Sequence, residues 1–379
     1  MVFMRLVVGF LLISLLSVAA YGQHFSSSPP QQPFHAADTH SLFFSIDNAN
    51  FLKNNEYYND YVAGYTKLGF FAEPRLNWIL SEKTRLSAGV HLLRYSGNQG
   101  FHKIQPVFSL HHRFSPGFRL IMGTLENQRH HNLIDPIYHY ENYLDRHTEN
   151  GLQLLLNTQA LEGEAWINWQ QFIFRESDFQ EQFETGVSAD VSLYNHKDIF
   201  SVGLPLQMLI QHRGGQINRN DTPISTLYNT AAGLSLKFGT GWSWLETLRL
   251  DNHMVFYGDA SPQKRQPYSN GHAFYSKLSL DRKPLGLEIS YWQARQYLSF
   301  AGNPMFQAFS VKKDIPINPN RQLVTGRLHY GRDYKGLKVV VNADGYWDTR
   351  RGTVDFGFGL YLLLDTHIFL TNTSGKHPH

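Results

Sequence analysis

The chain has 379 residues, a formal net charge of +3 and no cysteine, which excludes disulfide staples, thiol catalysis and thiolate metal sites, and is too little charge for a nucleic-acid footprint. Its length alone would suggest two soluble domains, yet 14% of the residues are aromatic while mean hydropathy is only −0.35. Past the N-terminal run no stretch reaches the roughly eighteen apolar residues of a spanning helix, whereas weak, alternating hydrophobicity is what barrel strands produce.

The first segment carries one positive charge at Arg5, an apolar run over residues 6–16 and small residues ending at Ala20-Tyr21-Gly22. This pattern predicts a secretory signal peptide over residues 1–22, hence export. No cysteine follows the expected cut, so a lipoprotein anchor is excluded. Residues 23–39, with Ser26 to Ser28 and Pro29-Pro30, read as a flexible periplasmic lead-in.

Residues 40–370 then read as an all-β, transmembrane, antiparallel up-and-down β-barrel of about sixteen strands (14–18). Strands are expected to begin near Leu42, Tyr65, Arg85, Lys103, Phe118, Leu152, Glu162, Phe183, Phe200, Thr230, Leu245, Ala273, Leu287, Leu323, Leu337 and Val354. Short turns rich in Gly, Pro, Asn and Asp fall after even-numbered strands, at residues 81–84, 115–117, 158–160, 195–198, 239–242, 281–286 and 332–336. The longer connections, 127–145, 213–227, 258–271 and 299–321, follow odd-numbered ones. That parity places short turns in the periplasm and long loops outside the cell. Pro74, Pro106 and Pro205 fall inside proposed strands and should mark ends or bulges. Residues 371–379 form a polar tail.

The period of two assigns faces. Leu68, Phe70, Ala72, Leu76, Trp78 and Leu80 point to lipid, as do Val354, Phe356, Phe358, Leu360, Leu362 and Leu364 near the end. The opposite face carries the charges Lys67, Glu73, Arg75, Arg85, Lys103, Glu164, Glu184, Asp190, Lys237, Arg249, Asp251, Lys277, Glu288, Arg327, Lys338, Asp344 and Asp355, with Asp365 after them. These are the candidate pore-lining residues of a hydrated passage, because a barrel of this size has room for an aqueous channel. Their signs nearly balance, so no strong ion preference follows.

The segment 129–147 holds His130, His131, His139, Glu141 and Asp145, whose spacing matches no zinc motif. It is better read as a loop that folds inward, with Tyr138, Tyr140 and Tyr143 as possible ligand contacts, or simply as an exposed loop. Phe306 and Phe309 of the last long connection could dock into the barrel mouth. Ser109 and His111 share one inward face at the separation of strand neighbours, the pairing a barrel lipid hydrolase would need, but they lack a nucleophile-elbow context. The expectation is therefore no enzyme, no metal and no cofactor.

The stretches H-N-L-I-D-P-I-Y-H-Y-E-N-Y-L (131–144), E-N-G-L-Q-L (149–154), W-I-N-W-Q-Q-F-I (166–173) and F-Q-E-Q-F (179–183) resemble a group of uncharacterised outer-membrane barrels of Bacteroidota-type bacteria. The resemblance implies a bacterial outer-membrane location and a porin-like architecture, and carries over no functional residue. Phe369 resembles the C-terminal insertion signal of barrel proteins, although Leu370 and a polar tail follow it. The expected function is a passive channel for small hydrophilic solutes. The alternatives are a non-conducting barrel that scaffolds a surface or secretion complex and, less favoured, a lipid hydrolase. Expected partners are outer-membrane lipid, the barrel-insertion machinery, and a homotrimer mate or surface protein.

Overall fold

The computed structural model describes residues 38–126, 130–197 and 199–373. The expected signal peptide, nearly all of the lead-in and the end of the tail lie outside the described residues. In chain order the strands are β1 (Ser41–Glu56), β2 (Tyr65–Ser81), β3 (Thr84–Tyr95), β4 (Lys103–Ser115), β5 (Phe118–Thr124), β6 (Asn150–Asn157), β7 (Leu161–Gln171), β8 (Glu181–His196) and β9 (Phe200–Gly214). They continue as β10 (Ser225–Trp242), β11 (Leu245–Asp259), β12 (Asn270–Arg282), β13 (Leu285–Arg295), the two-residue pair β14 (Phe309–Ser310) and β15 (Ile315–Pro316), then β16 (Asn320–Tyr334), β17 (Leu337–Asp348) and β18 (Thr353–Asn372). All except β14 and β15 join one closed antiparallel ring of sixteen strands, sealed by β1 against β18. Closure removes every sheet edge, the condition for a strand-built wall in hydrocarbon.

Alternation along each strand is what the solvent on either side demands. On β18 Phe356, Phe358 and Leu360 are exposed to the outside while Asp355, Gly357, Gly359 and Tyr361 are buried within. Trp166 and Trp169 obey the same rule from opposite faces, Trp166 buried and Trp169 exposed, with a bulge just beyond at Gln171. The three prolines neither end strands nor make bulges. Pairing of β2 with β3 skips residues 73–74 and pairing of β9 with β10 skips 204–205, yet register is kept on both sides of each gap. Pro106 stays paired to Val90. A proline missing its N–H thus costs a rung without shifting the ladder.

The interior is not an open bore. Two long connections fold back into it, residues 130–149 ahead of β6 and residues 296–319 between β13 and β16. Leu133, Ile137 and Tyr138 of the first pack with Tyr297, Leu298 and Phe306 of the second, against inward Trp292, Val255 and Leu209 of the wall; Phe309 packs on the same cluster. The two connections are laced together: His139 N–H donates to Ala301 O at 2.9 Å, Tyr297 Oη to Pro136 O at 2.9 Å and Asn303 Nδ2 to Asp135 Oδ2 at 2.9 Å. Inward apolar residues toward the long-loop end form a packed core with this plug, while charged ones dominate toward the short-turn end.

Candidate functional site

The plug begins with three consecutive residues in the left-handed region, His130, His131 and Asn132, at φ of 50, 53 and 54°. Such a run is costly for non-glycine residues and persists only where side chains hold it. His131 is that hold. Its Nε2 meets Glu149 Oε2 at 2.6 Å, its Nδ1 meets Glu164, and the ring stacks on Trp166 with centroids 3.9 Å apart and planes 5° off parallel. Burial opposes charge on this ring, but the two carboxylates overcome it and push His131 up to about 10, while the imidazolium and Tyr138 hold Glu149 below its ordinary range. Neighbouring His130 has no carboxylate so placed; burial and the adjacent charge push it down to about 3.

The rest of the plug is tied to inward residues of the wall. Lys53 Nζ, fully buried, donates to Asp344 Oδ2 at 2.7 Å and to Tyr140 Oη at 2.9 Å. Glu141 accepts from Tyr65 Oη at 2.5 Å and from Asn55 Nδ2 at 3.0 Å. A helical turn, Asn142–Asp145, ends the segment, and Asp145 accepts from Tyr95 Oη at 2.6 Å and from Lys67.

Just past that turn, His147 is pressed to the wall between β1, β2 and β3. Its ring stacks on Phe71 at 4.2 Å and lies 5.6 Å from the His91 ring. Nε2 faces two carboxylates, Glu73 Oε1 at 3.5 Å and Asp47 Oδ2 at 3.7 Å. Glu73 is itself fixed by His91 Nδ1 at 2.7 Å and by Arg75. The Nε2 edge of the ring thus faces the carboxylate pair while its flat face lies on Phe71.

Ser109 and His111 also meet, with Nε2 3.0 Å from Oγ, and Glu126 Oε1 lies 3.5 Å from Nδ1. The superficial likeness to a triad fails on proton placement. Arg85 Nη2 sits 3.2 Å from Nδ1, and an arginine can only donate. Nδ1 is therefore the acceptor, Nε2 carries the hydrogen and donates to Ser109, and among the described residues the hydroxyl meets no base.

Under the plug lies a cavity of about 770 Å³. Its roof is His130, Asn132, Asp135, Tyr138 and Tyr140, and it reaches Glu246, Lys283 and Leu285 at the short turns, with no lining residue from the other long connections. Of the expected pore-lining residues, Asp190, Lys237, Arg249, Asp251, Lys277, Glu288 and Arg327 line it, and Asp344 borders a small side pocket. The others face inward but lie away from it. Lys67 and Lys103 bond the plug, the latter through Thr148 at 3.1 Å; Glu164 holds His131; Glu73 and Arg85 are buried in the wall, and Arg75 bonds Glu73. Glu184 accepts from Gln211 at 3.1 Å, Asp355 caps Tyr58 N–H at 2.6 Å, and Lys338 sits near the short-turn end. Tyr138 and Tyr140 reach the cavity with their hydroxyls already bonded to Glu149 and Asp344; Tyr143 is buried against Phe71 instead. Lys53, Asp47 and His147 were not singled out from the sequence. The inward parity of β1 was the available signal for the first two, whereas nothing local marks His147.

In fold, the chain is similar to OccK2 (OpdF) of Pseudomonas aeruginosa, solved in complex with glucuronate, at 10% identity and a TM-score of 0.50 over 90% of this chain and 100% of that one. It is likewise similar to a loop L8 deletion mutant of OmpT, an outer-membrane protein of Vibrio cholerae, at 11% identity and a TM-score of 0.50 over 85% and 99%. Both likenesses concern the barrel alone. No curated protein matches the chain in sequence. Residues 34–373 do match a family described as lipid A 3'-O-deacylase-type, and a family named for an enzyme overturns the expectation that the chain has no enzymatic activity. That expectation rested on the missing nucleophile elbow, which a histidine activating water does not require. With the match running through nearly the whole barrel, the chain belongs to the lipid A 3'-O-deacylase-type family.

Proposed function

We propose that this outer-membrane barrel hydrolyses an ester-linked acyl chain of lipid A, with His147 as general base. The observation that carries the reading is the imidazole of His147 set against Glu73 and Asp47 on the inner wall. In this reading Nδ1 takes a proton from water, the resulting hydroxide attacks the ester carbonyl, and the imidazolium returns the proton to the departing sugar oxygen, so that ester and water become carboxylic acid and alcohol. His147 is only 5% exposed, so substrate entry requires the helical turn 142–145 to lift from the wall.

The test is mass spectrometry of lipid A incubated with the refolded barrel. Loss of one acyl chain is expected, with a fall of roughly 10²-fold or more for His147→Gln and no change for Ser109→Ala. Intact lipid A with the wild-type barrel, or full activity in His147→Gln, would overturn the reading.

A second reading, passage or storage of a small hydrophilic solute, is favoured by the charged cavity of about 770 Å³. In the plugged state it would act as a periplasmic vestibule, and conduction would require the plug to move. Expected cargo is hydrophilic and weakly selected by charge, because most cavity cations are paired, Arg249 with Asp251 and Lys277 with Glu288.

A further inference from the structure

The outward face of β1 breaks the apolar alternation that its neighbours keep. After Leu42, Phe44 and Ile46 the outward positions become Asn48 and Asn50, then Leu52 and Asn54. Directly beside them β18 presents Leu364, Leu362 and Phe358, and β2 presents Ala72, Phe70 and Thr66. Asn48 and Asn50 lie deep: their partners Leu364 and Leu362 fall near the middle of the 20-residue β18. Hydrocarbon at that depth offers no hydrogen-bonding group.

The amides are bonded in two separate groups, on either side of Leu52. Asn54 Nδ2 donates to Glu56 Oε1 at 2.8 Å near the rim and its Oδ1 accepts from Thr66 Oγ1 at 2.5 Å. Asn48 Nδ2 donates to Phe71 O at 2.6 Å, and Asn50 Nδ2 donates to Asn48 Oδ1 at 2.7 Å. Asn50 is the exposed member. Among the described residues its carbonyl oxygen and second amide hydrogen meet no protein group.

We propose that this face is where two copies of the chain meet in the membrane, with Asn50 pairing to Asn50 across a two-fold axis along the membrane normal. A carboxamide is its own complement, donor to acceptor and acceptor to donor, which an isologous contact satisfies on both sides at once. The small side chains of Ala72 and Pro74 beside Asn48 and Ile46 let the two walls approach, and Leu360, Leu362, Leu68 and Phe70 supply the apolar flanks. Lipid acyl chains cannot replace the amide partner at this depth.

The absence of cysteine makes the test clean. Asn50→Cys in proteoliposomes, oxidised with copper phenanthroline, is expected to give a disulfide-linked species of twice the mass. Leu234→Cys, exposed on β10 seven strands away round the ring, should stay monomeric. Asn50→Leu, which suits a lipid-facing site and should fold with the usual heat-shifted gel mobility, is expected to run as a monomer by light scattering where the wild type runs as a dimer. A monomeric wild type with no Asn50→Cys cross-link above the Leu234→Cys background would overturn the proposal. So would a lipid retained on this face in place of the second copy.

Discussion

Individual side chains inside this barrel work as clamps, and each clamp has a predictable sensitivity. His131 carries a folded pKa of about 10 against an ordinary 6.5, so its contribution to seating the plug is complete below about pH 6.5 and is lost as pH rises through 10. Glu149, held low, and His130, pushed down to about 3, act oppositely: acidification costs stability at both. The plug should therefore sit most firmly near pH 6.5, loosening progressively as pH rises toward 10 and again as it falls. Trp166 stacks on the imidazolium, so its emission, isolated by comparison with Trp166→Phe, should rise as His131 deprotonates; flat emission from pH 7 to 11 would refute the clamp. At the rim, Arg321 Nη1 bonds Asp348 Oδ2 at 2.5 Å with both side chains buried, and stacks on Tyr61 at 4.1 Å. Arg321→Met would take the charge partner from that carboxylate, leaving it the Tyr61 hydroxyl and the Arg350 and Arg351 N–H groups, and is expected to cost about 3 kcal/mol in denaturant titrations of the refolded barrel.

At the scale of a strand, solvent on each side sets the rules, and they were readable in advance. Expected strand starts fall within a few residues of those found, because turn chemistry and a period of two are local signals. Val341 is exposed on β17 opposite Leu360, and Val341→Lys should cost about 2–4 kcal/mol if it lies at midplane. Inward positions are less uniform than parity suggests. A Cβ at Gly359 would lie 2.4 Å from Asn342 Oδ1 and 2.5 Å from the Tyr361 ring, so this glycine seats a fully buried aromatic and tolerates no charge. Lys237, which borders the cavity, is the inward site to vary: Lys237→Glu should change stability by no more than about 0.5 kcal/mol in the same titration.

For the molecule as a whole, the balance between wall and plug decides what the lumen can do. A sixteen-strand ring leaves room that the two inward connections fill toward the long-loop end, converting a bore into a vestibule. Planar-bilayer recordings of the intact barrel should therefore show little current. Replacing residues 130–146 by a short flexible link should open stable conductance steps, and equal conductance in both proteins would mean that the plug does not control passage. The ring, its strand count, the lipid-facing residues and the folding-in of the 129–147 segment as an option could all be read from residues close together in the chain. The alternation of faces answers to the medium on each side and needs no knowledge of distant partners. Placement of His147 against Glu73 and Asp47, the clamp on His131, and the Arg85 contact that disarms Ser109 could not be read this way. Each depends on which strand stands beside which once the ring has closed, and on where a loop lands across it. Period and turn chemistry carry no record of such distances.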